Sequence, residues 1–232
     1  MVPREVVPPT AKSHEPVTIV LATRNRGKVR ELEALLSGLP VRLRTLDDYP
    51  DVPVLPETGR TFEANAVSKA TTVARLTGEI ALADDSGVEI EALAGAPGVE
   101  SATFLGPDAS DDDRNAWVLG KLRGMDEGLR AARYVAVVAV AEPDGSVKTF
   151  EGTCEGRIAD APHGHHGFGY DPIFVVPAYG RTMAELPPEI KNQISHRAKA
   201  LAAAREHLVV LVRTAQAGAP PARQEDPRPA TK

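Results

Sequence analysis

An α/β fold is what this sequence predicts, on three observations. Val17 to Ala22 is a short β-branched run that passes through a polar loop into a stretch with Val29, Leu32, Leu35 and Leu36 on one helical face. Thr61 to Leu76 has the helical period again and leads into the strand-like Ile80 to Ala83. Further on, the apolar runs Tyr134 to Ala141 and Val147 to Ile158 are separated by Pro143-Asp144-Gly145, a hairpin signal that makes this half antiparallel.

The remaining elements fall between these. Val41 to Leu46 alternates apolar and polar residues as a half-exposed strand does, and Asp111 to Leu122 reads as a helix with acids in its first turn, where they favour the helix dipole. Pro187 and Pro188 mark a turn, after which Ser195 caps a final helix running through Leu201 to about Val212. There is no internal repeat. With 232 residues, 42% of them hydrophobic, the chain has enough apolar surface for one soluble domain or two closely joined lobes. The first fifteen residues, with Pro3, Pro8 and Pro9 among charges, and those from 214 to 232, rich in Ala, Pro and charge, are expected to be disordered extensions flanking a domain at 16–213. Neither end carries the apolar stretch of a signal peptide or membrane span.

Charge and cysteine content exclude some functions. A formal net charge of −5 argues against non-specific binding to nucleic acid, so any phosphate site must be local. The single cysteine, Cys154, has no internal disulfide partner and reads as a buried structural thiol, which suits a reducing cytoplasm.

Five segments carry candidate chemistry. Thr23-Arg24-Asn25-Arg26-Gly27-Lys28 joins a strand to a helix, so its backbone N–H groups and Lys28 could converge on phosphate at a helix N-terminus; the plainer reading is a polar turn. It is no Walker loop, since the first glycine is missing and Val29 stands where a magnesium-binding Ser or Thr would be. Asp84-Asp85-Ser86-Gly87 follows an apolar strand, and adjacent acids where a strand leaves a sheet suit a hard cation, with one carboxylate facing it and the other holding the loop. An Asp-stabilised turn is the alternative. Glu57 is a candidate second carboxylate, while Asn65 and Lys69, four apart, share a helix face.

In Gly164 to Pro172, Gly164, Gly167 and Gly169 permit close backbone approach, and Phe168 and Tyr170 offer faces on which a base can stack. His163, His165 and His166 lack a ligand-spaced cysteine or further histidine, so a zinc site is rejected in favour of loop polarity. Lys191, Ser195, His196 and Arg197 cluster donors at a helix start, where a ligand with oxygen acceptors would fit; a cap with surface cations is the bland alternative.

The blocks LATRNRGKVREL, ETGRTFEANAVSKA, ADDSGVEIEALAGAPGVESA, GFGYDPIF and ISHRAKAL, in this order between about Val17 and Leu208, make the chain resemble the inosine triphosphate pyrophosphatase family. That resemblance implies an elongated two-lobed α/β fold around a mixed twisted sheet with flanking helices, a nucleotide cleft between the lobes, and a homodimer. It implies Mg²⁺-dependent hydrolysis of ITP, dITP and XTP to the monophosphate and pyrophosphate. By position, Thr23, Arg24, Asn25, Arg26, Gly27 and Lys28 resemble the triphosphate loop, Glu57 and Asp85 the magnesium ligands, and Asp85 also the proton acceptor, with Asp84 the alternative base. Lys69 joins Lys28 on the phosphates as a catalytic cation. Ser86 matches a substrate contact, and Phe168, Gly169, Tyr170, Asp171, Lys191, His196 and Arg197 match the base-binding set. Ala64 departs from the pattern, which commonly has an acid there, and that bears on metal affinity and on the cap at Thr61. A pyrophosphatase for other modified nucleotides and a non-catalytic nucleotide sensor are the rival readings.

Overall fold

The computed structural model describes residues 16–218, with side chains described to residue 216. The expected extensions at 1–15 and from 219 onward lie outside the described residues. One seven-stranded mixed sheet, ordered β2-β1-β3-β4-β5-β6-β7, organises the chain. Its strands are β1 (Val17–Leu21), β2 (Val41–Thr45), β3 (Ile80–Ile90), β4 (Ala131–Ala141), β5 (Val147–Ile158), β6 (Phe174–Val176) and β7 (Arg181–Thr182). β1 pairs in parallel with β2 and β3, and every later pairing is antiparallel. The helices are α1 (Arg26–Leu36), α2 (Phe62–Thr77), α3 (Asp111–Lys121), α4 (Pro188–Ile194) and α5 (His196–Gly218).

Side-chain alternation along the long strands distributes the core. On one face, Ala81 and Ala83 of β3 and Val135, Val137 and Ala139 of β4 pack under Phe62, Ala66, Ala70 and Val73 of α2. On the other, Ile80 and Leu82 meet Leu32 and Leu36 of α1 and Ala200, Leu201, Ala204 and Leu208 of α5. A third core, with Val88, Ile90, Tyr134, Ile158, Phe174 and Val118 of α3, fills the distal lobe. The long strands β3, β4 and β5 run through both lobes, which makes the fold elongated. The start of α5 lies directly on β5 because Gly152 has no side chain: a Cβ there would stand 2.3 Å from the His196 carbonyl oxygen.

Two expectations are corrected. α5 continues past the expected boundary at residue 213, and 214–218 are helical. Asp84 to Gly87 is not a loop: β3 runs on through it, paired with Val138 to Val135 of β4. Hydrogen bonding to β4 overrides the turn propensity of Asp and Gly. What ends there is the neighbour, since β1 pairs with β3 only as far as Leu82. The acids therefore lie at the carboxyl end of β1, where open α/β sheets place their ligands. Cys154 is buried in β5, as its strand setting suggests. Among the described residues, no helix is long and apolar enough to cross a membrane.

Candidate active site

Because successive side chains on a strand point to opposite faces, Asp84 and Asp85 are sent to different partners. Asp85 faces α2, where Lys69 Nζ donates to its Oδ1 at 2.8 Å and Asn65 Nδ2 donates to its Oδ2 at 3.2 Å. The i, i+4 spacing of Asn65 and Lys69 brings both to this carboxylate. Lys69 also donates to Glu57 Oε1 at 2.7 Å, so two carboxylates converge on one ammonium group. Asn65 Oδ1 accepts from Gly59 N at 2.7 Å and ties the Glu57 segment to the helix. Burial pushes the Asp85 carboxyl above its ordinary range, with Lys69 opposing, whereas at Glu57 burial, the largest single effect, is outweighed by the charge and hydrogen bond of Lys69 together with the Lys28 charge and a hydrogen bond with Asp85, and the carboxyl is lowered.

Asp84 faces α1 and α5. Arg197 grips it with Nε on Oδ1 at 3.1 Å and Nη2 on Oδ2 at 3.0 Å, and Lys28 lies 2.8 Å from Oδ2. Burial would raise this carboxyl, but Arg197 and Lys28 hold it well below the usual carboxylate range. Arg197 Nη2 donates further to Ser86 Oγ at 2.9 Å, and Nη1 pairs with Glu31. Lys28 and Lys69, from different helices, both donate to the Asp84 carbonyl oxygen, at 3.3 and 3.1 Å.

The loop before α1 divides its labour. Asn25 caps the helix, its Oδ1 accepting from Lys28 N at 3.1 Å, so that Arg26 to Lys28 form the first turn rather than a loop. Thr23, Arg24, Asn25 and Lys28 line a pocket of about 200 Å³ together with Glu57 and Lys69. Arg26 is not brought there; it lines a neighbouring hollow with Arg30 and Asp47. Gly27 is buried under the Phe168 ring, where a Cβ would meet Cδ1 at 2.6 Å, so the phosphate-loop candidate and the aromatic loop are in direct contact.

A second pocket of about 140 Å³ adjoins the first, sharing Asn25 and Lys28. Its walls include Ser86, Phe168, Tyr170, Lys191, His196 and Arg197. Lys191 lies 4.9 Å above the Phe168 ring, pairs with Asp171 and is 2.7 Å from Glu31 Oε1. The Tyr134 ring stacks on His196 at 4.5 Å, and its hydroxyl donates to Asp171 Oδ1 at 3.2 Å. His196 Nδ1 is buried and has no hydrogen-bond partner among the described residues. Burial, reinforced by the nearby Arg197 charge, holds this imidazole well below its ordinary range and therefore neutral.

The structure thus lines two joined pockets with most of the expected site residues, places Asp85 and Gly27 in neither but in contact with the lining residues Lys69 and Phe168, and leaves Arg26 outside. It adds Glu31, which bridges Lys191 and Arg197, and Tyr134, Asp111 and Asn115, which hold the aromatic side. Glu31 has a faint sequence signal in its spacing of three from Lys28 on the same helix; the others have none, because their partners are remote in the chain.

A mixed sheet carrying a cation-lined cleft between lobes, at the carboxyl end of a parallel strand, defines a class of α/β protein suited to an anionic small molecule. Within that class the chain belongs to the Ham1 family, whose sequence profile matches residues 19–207. It is similar to the dITP/XTP pyrophosphatase of Geobacter sulfurreducens, 50% identical over 190 residues covering 82% of this chain and 96% of that one. A similar relative is the dITP/XTP pyrophosphatase of Exiguobacterium sp., 50% identical over 183 residues, 79% and 92% of the two chains. Among solved structures, a HAM1 protein from Coxiella burnetii matches with a TM-score of 0.74 at 42% identity, covering 85% of this chain and 99% of that one. The Staphylococcus aureus Ham1 protein matches with a TM-score of 0.73 at 38% identity, covering 82% and 97%.

Proposed function

We propose that this chain hydrolyses the deaminated purine nucleoside triphosphates ITP, dITP and XTP to the monophosphate and pyrophosphate, clearing them from the nucleotide pool. The observation that carries the reading is the convergence of Lys28 and Lys69 on the Asp84 carbonyl, beside the Glu57 and Asp85 carboxylates and next to an aromatic pocket. Phosphoryl transfer needs positioned charge more than covalent chemistry, and two ammonium groups there would hold a triphosphate against the α–β bond to be cut.

The donor set fits Mg²⁺. Glu57 and Asp85 direct hard carboxylate oxygens at one cationic point, the Lys69 ammonium, and these two residues would hold the ion. Such a site relies on phosphate oxygens and water for its remaining ligands, as Mg²⁺ prefers. Bound there, the ion would supply charge neutralisation on the phosphates. Asp85 would orient the attacking water and take its proton at a carboxylate oxygen. What favours Asp85 over Asp84 is that the Asp84 carboxylate is engaged on both oxygens by Arg197 and again by Lys28.

For the base, Lys191 and Arg197 spend most of their N–H groups on Glu31, Asp171 and Asp84, and the neutral His196 keeps a ring nitrogen with no partner among the described residues. These groups together would read the C6 oxygen and N1–H of inosine and xanthine. Adenine presents the opposite pattern and would strand buried donors, which discriminates by about 10⁴ or more. A homodimer and a cytoplasmic setting belong to the same proposal. The test is pyrophosphate release from ITP, XTP, GTP, ATP and dTTP with Mg²⁺, using the native chain and Asp85→Asn. Turnover of ITP and XTP that disappears in the variant is expected; preferential turnover of dTTP, or ITP binding without turnover, would reject the proposal.

A further inference from the structure

The purine pocket is walled by Phe168 to Asp171, and three of these residues are restrained by contacts outside Gly169. Phe168 N donates to Asp171 Oδ2 at 2.9 Å, Tyr170 donates its hydroxyl to the Ser101 carbonyl at 3.0 Å, and Asp171 is held by Tyr134 and Lys191. Gly169, between the two aromatics, has no side chain by which it could be held. Helix α3 holds it by the backbone instead. Asp111 Oδ2 accepts from Gly169 N at 2.8 Å, and Asn115 Nδ2 donates to Gly169 O at 3.0 Å. Asp111 and Asn115 are four apart on one helix face, so both side chains reach the two backbone polar groups of the one residue, Gly169.

The energetics of Asn115 point away from a purely stabilising role. The residue is buried, with a relative exposure of 3%, yet its Oδ1 has no partner among the described residues. A buried unpaired acceptor is unfavourable, and an apolar residue of the same size would avoid it. The carboxylate and the amide are matched to what Gly169 offers, an N–H donor and a carbonyl acceptor. We infer that Asp111 and Asn115 are positioning residues for base recognition: as a two-point clamp on Gly169, they fix the spacing of the Phe168 and Tyr170 rings and thereby the selectivity of the pocket.

This inference rests on the proposed nucleotide site, but the clamp can be tested apart from it. Amide hydrogen exchange at Gly169, read by NMR, should accelerate at least tenfold in Asp111→Ala and return towards the native rate in Asp111→Asn, whose amide oxygen still accepts. In the native chain, Asp111→Ala and Asn115→Leu, steady-state kinetics with ITP and GTP should show KM for ITP rising about tenfold, the size of one lost hydrogen bond. kcat should stay within about twofold and the preference for ITP over GTP should narrow. Melting temperatures separate this from unfolding, and Asn115→Leu should melt no lower than the native chain. Native-rate exchange at Gly169 in Asp111→Ala, or loss of kcat with KM unchanged in both variants, overturns the inference. If the native chain turns over no purine triphosphate, the functional reading falls, and the exchange result alone decides the clamp.

Discussion

Replacing Arg197 with Met should unfold the protein several degrees sooner before it says anything about base recognition. The guanidinium is almost fully buried, its side chain 1% exposed, and it faces an Asp84 carboxylate that is 0% exposed. Three of its N–H bonds, to Asp84 Oδ1, Asp84 Oδ2 and Ser86 Oγ, have distances of 3.1, 3.0 and 2.9 Å, and a further one reaches Glu31. Removing one partner of a buried pair costs about 3–5 kcal/mol, because the other charge is left without compensation. Lys28 remains 2.8 Å from Asp84 and Lys191 remains on Glu31, which places the loss at the lower end, about 3 kcal/mol. For a chain of this size that is a fall of roughly 6–12 °C in Tm. Calorimetry on the native chain, Arg197→Met, Asp84→Asn and the double variant gives the coupling directly. The double variant should lose at least about 1 kcal/mol less than the two single losses added together. A Tm within about 2 °C of native for Arg197→Met, or strict additivity, would refute the reasoning. In either case, the selectivity of an Arg197 variant has meaning only per folded molecule.

Other perturbations address separate contacts. His196 is held neutral in the fold by burial and the Arg197 charge, while the unfolded chain takes up a proton below about pH 6.5; protons are then bound more by the unfolded state, so stability falls as pH falls. Between pH 7.5 and 5.5 the native chain should lose about 1.4 kcal/mol more than His196→Gln in urea titrations, and parallel curves would contradict this. Gly27→Ala should push the Phe168 ring aside, since the new Cβ would meet it at 2.6 Å; KM for ITP should rise several-fold with little change in Tm, and an unchanged KM would show that the ring's seat on Gly27 is immaterial. At the third position of α2, Ala64 N already donates to Thr61 Oγ1 at 3.1 Å, so Ala64→Glu should complete a capping box and add about 0.5 kcal/mol. Thermal melts should show that gain with the half-saturating Mg²⁺ unchanged; tighter Mg²⁺ dependence at constant Tm would assign the missing acid to the metal instead.

How far the sequence could be read follows from how far apart the interacting residues lie. The helical periods of α1 and α2, the hairpin between β4 and β5, and the Ser195 cap are local, and each is found where pattern and turn chemistry put it. The candidate site residues are proposed from the five blocks taken together and their resemblance to a family, since the 23–28 loop alone reads equally as a polar turn. Asp84 to Gly87 was misread as a loop because its turn-forming residues are overruled by β4, a strand that follows only after α3. That the two acids differ in role is expected from the sequence; the strand adds the physical reason, since alternation sends them to opposite faces, Asp85 towards Lys69 and Asp84 towards Arg197. The restraining contacts are the part that periodicity does not carry. Arg197 reaches Asp84 across 113 residues and Glu31 across 166, and Asn115 reaches Gly169 across 54. Each of these is an ordinary polar residue on a helix until the sheet brings its partner to it. A change at Glu31, Asp111 or Asn115 would therefore look conservative in sequence and act on the pocket through the fold.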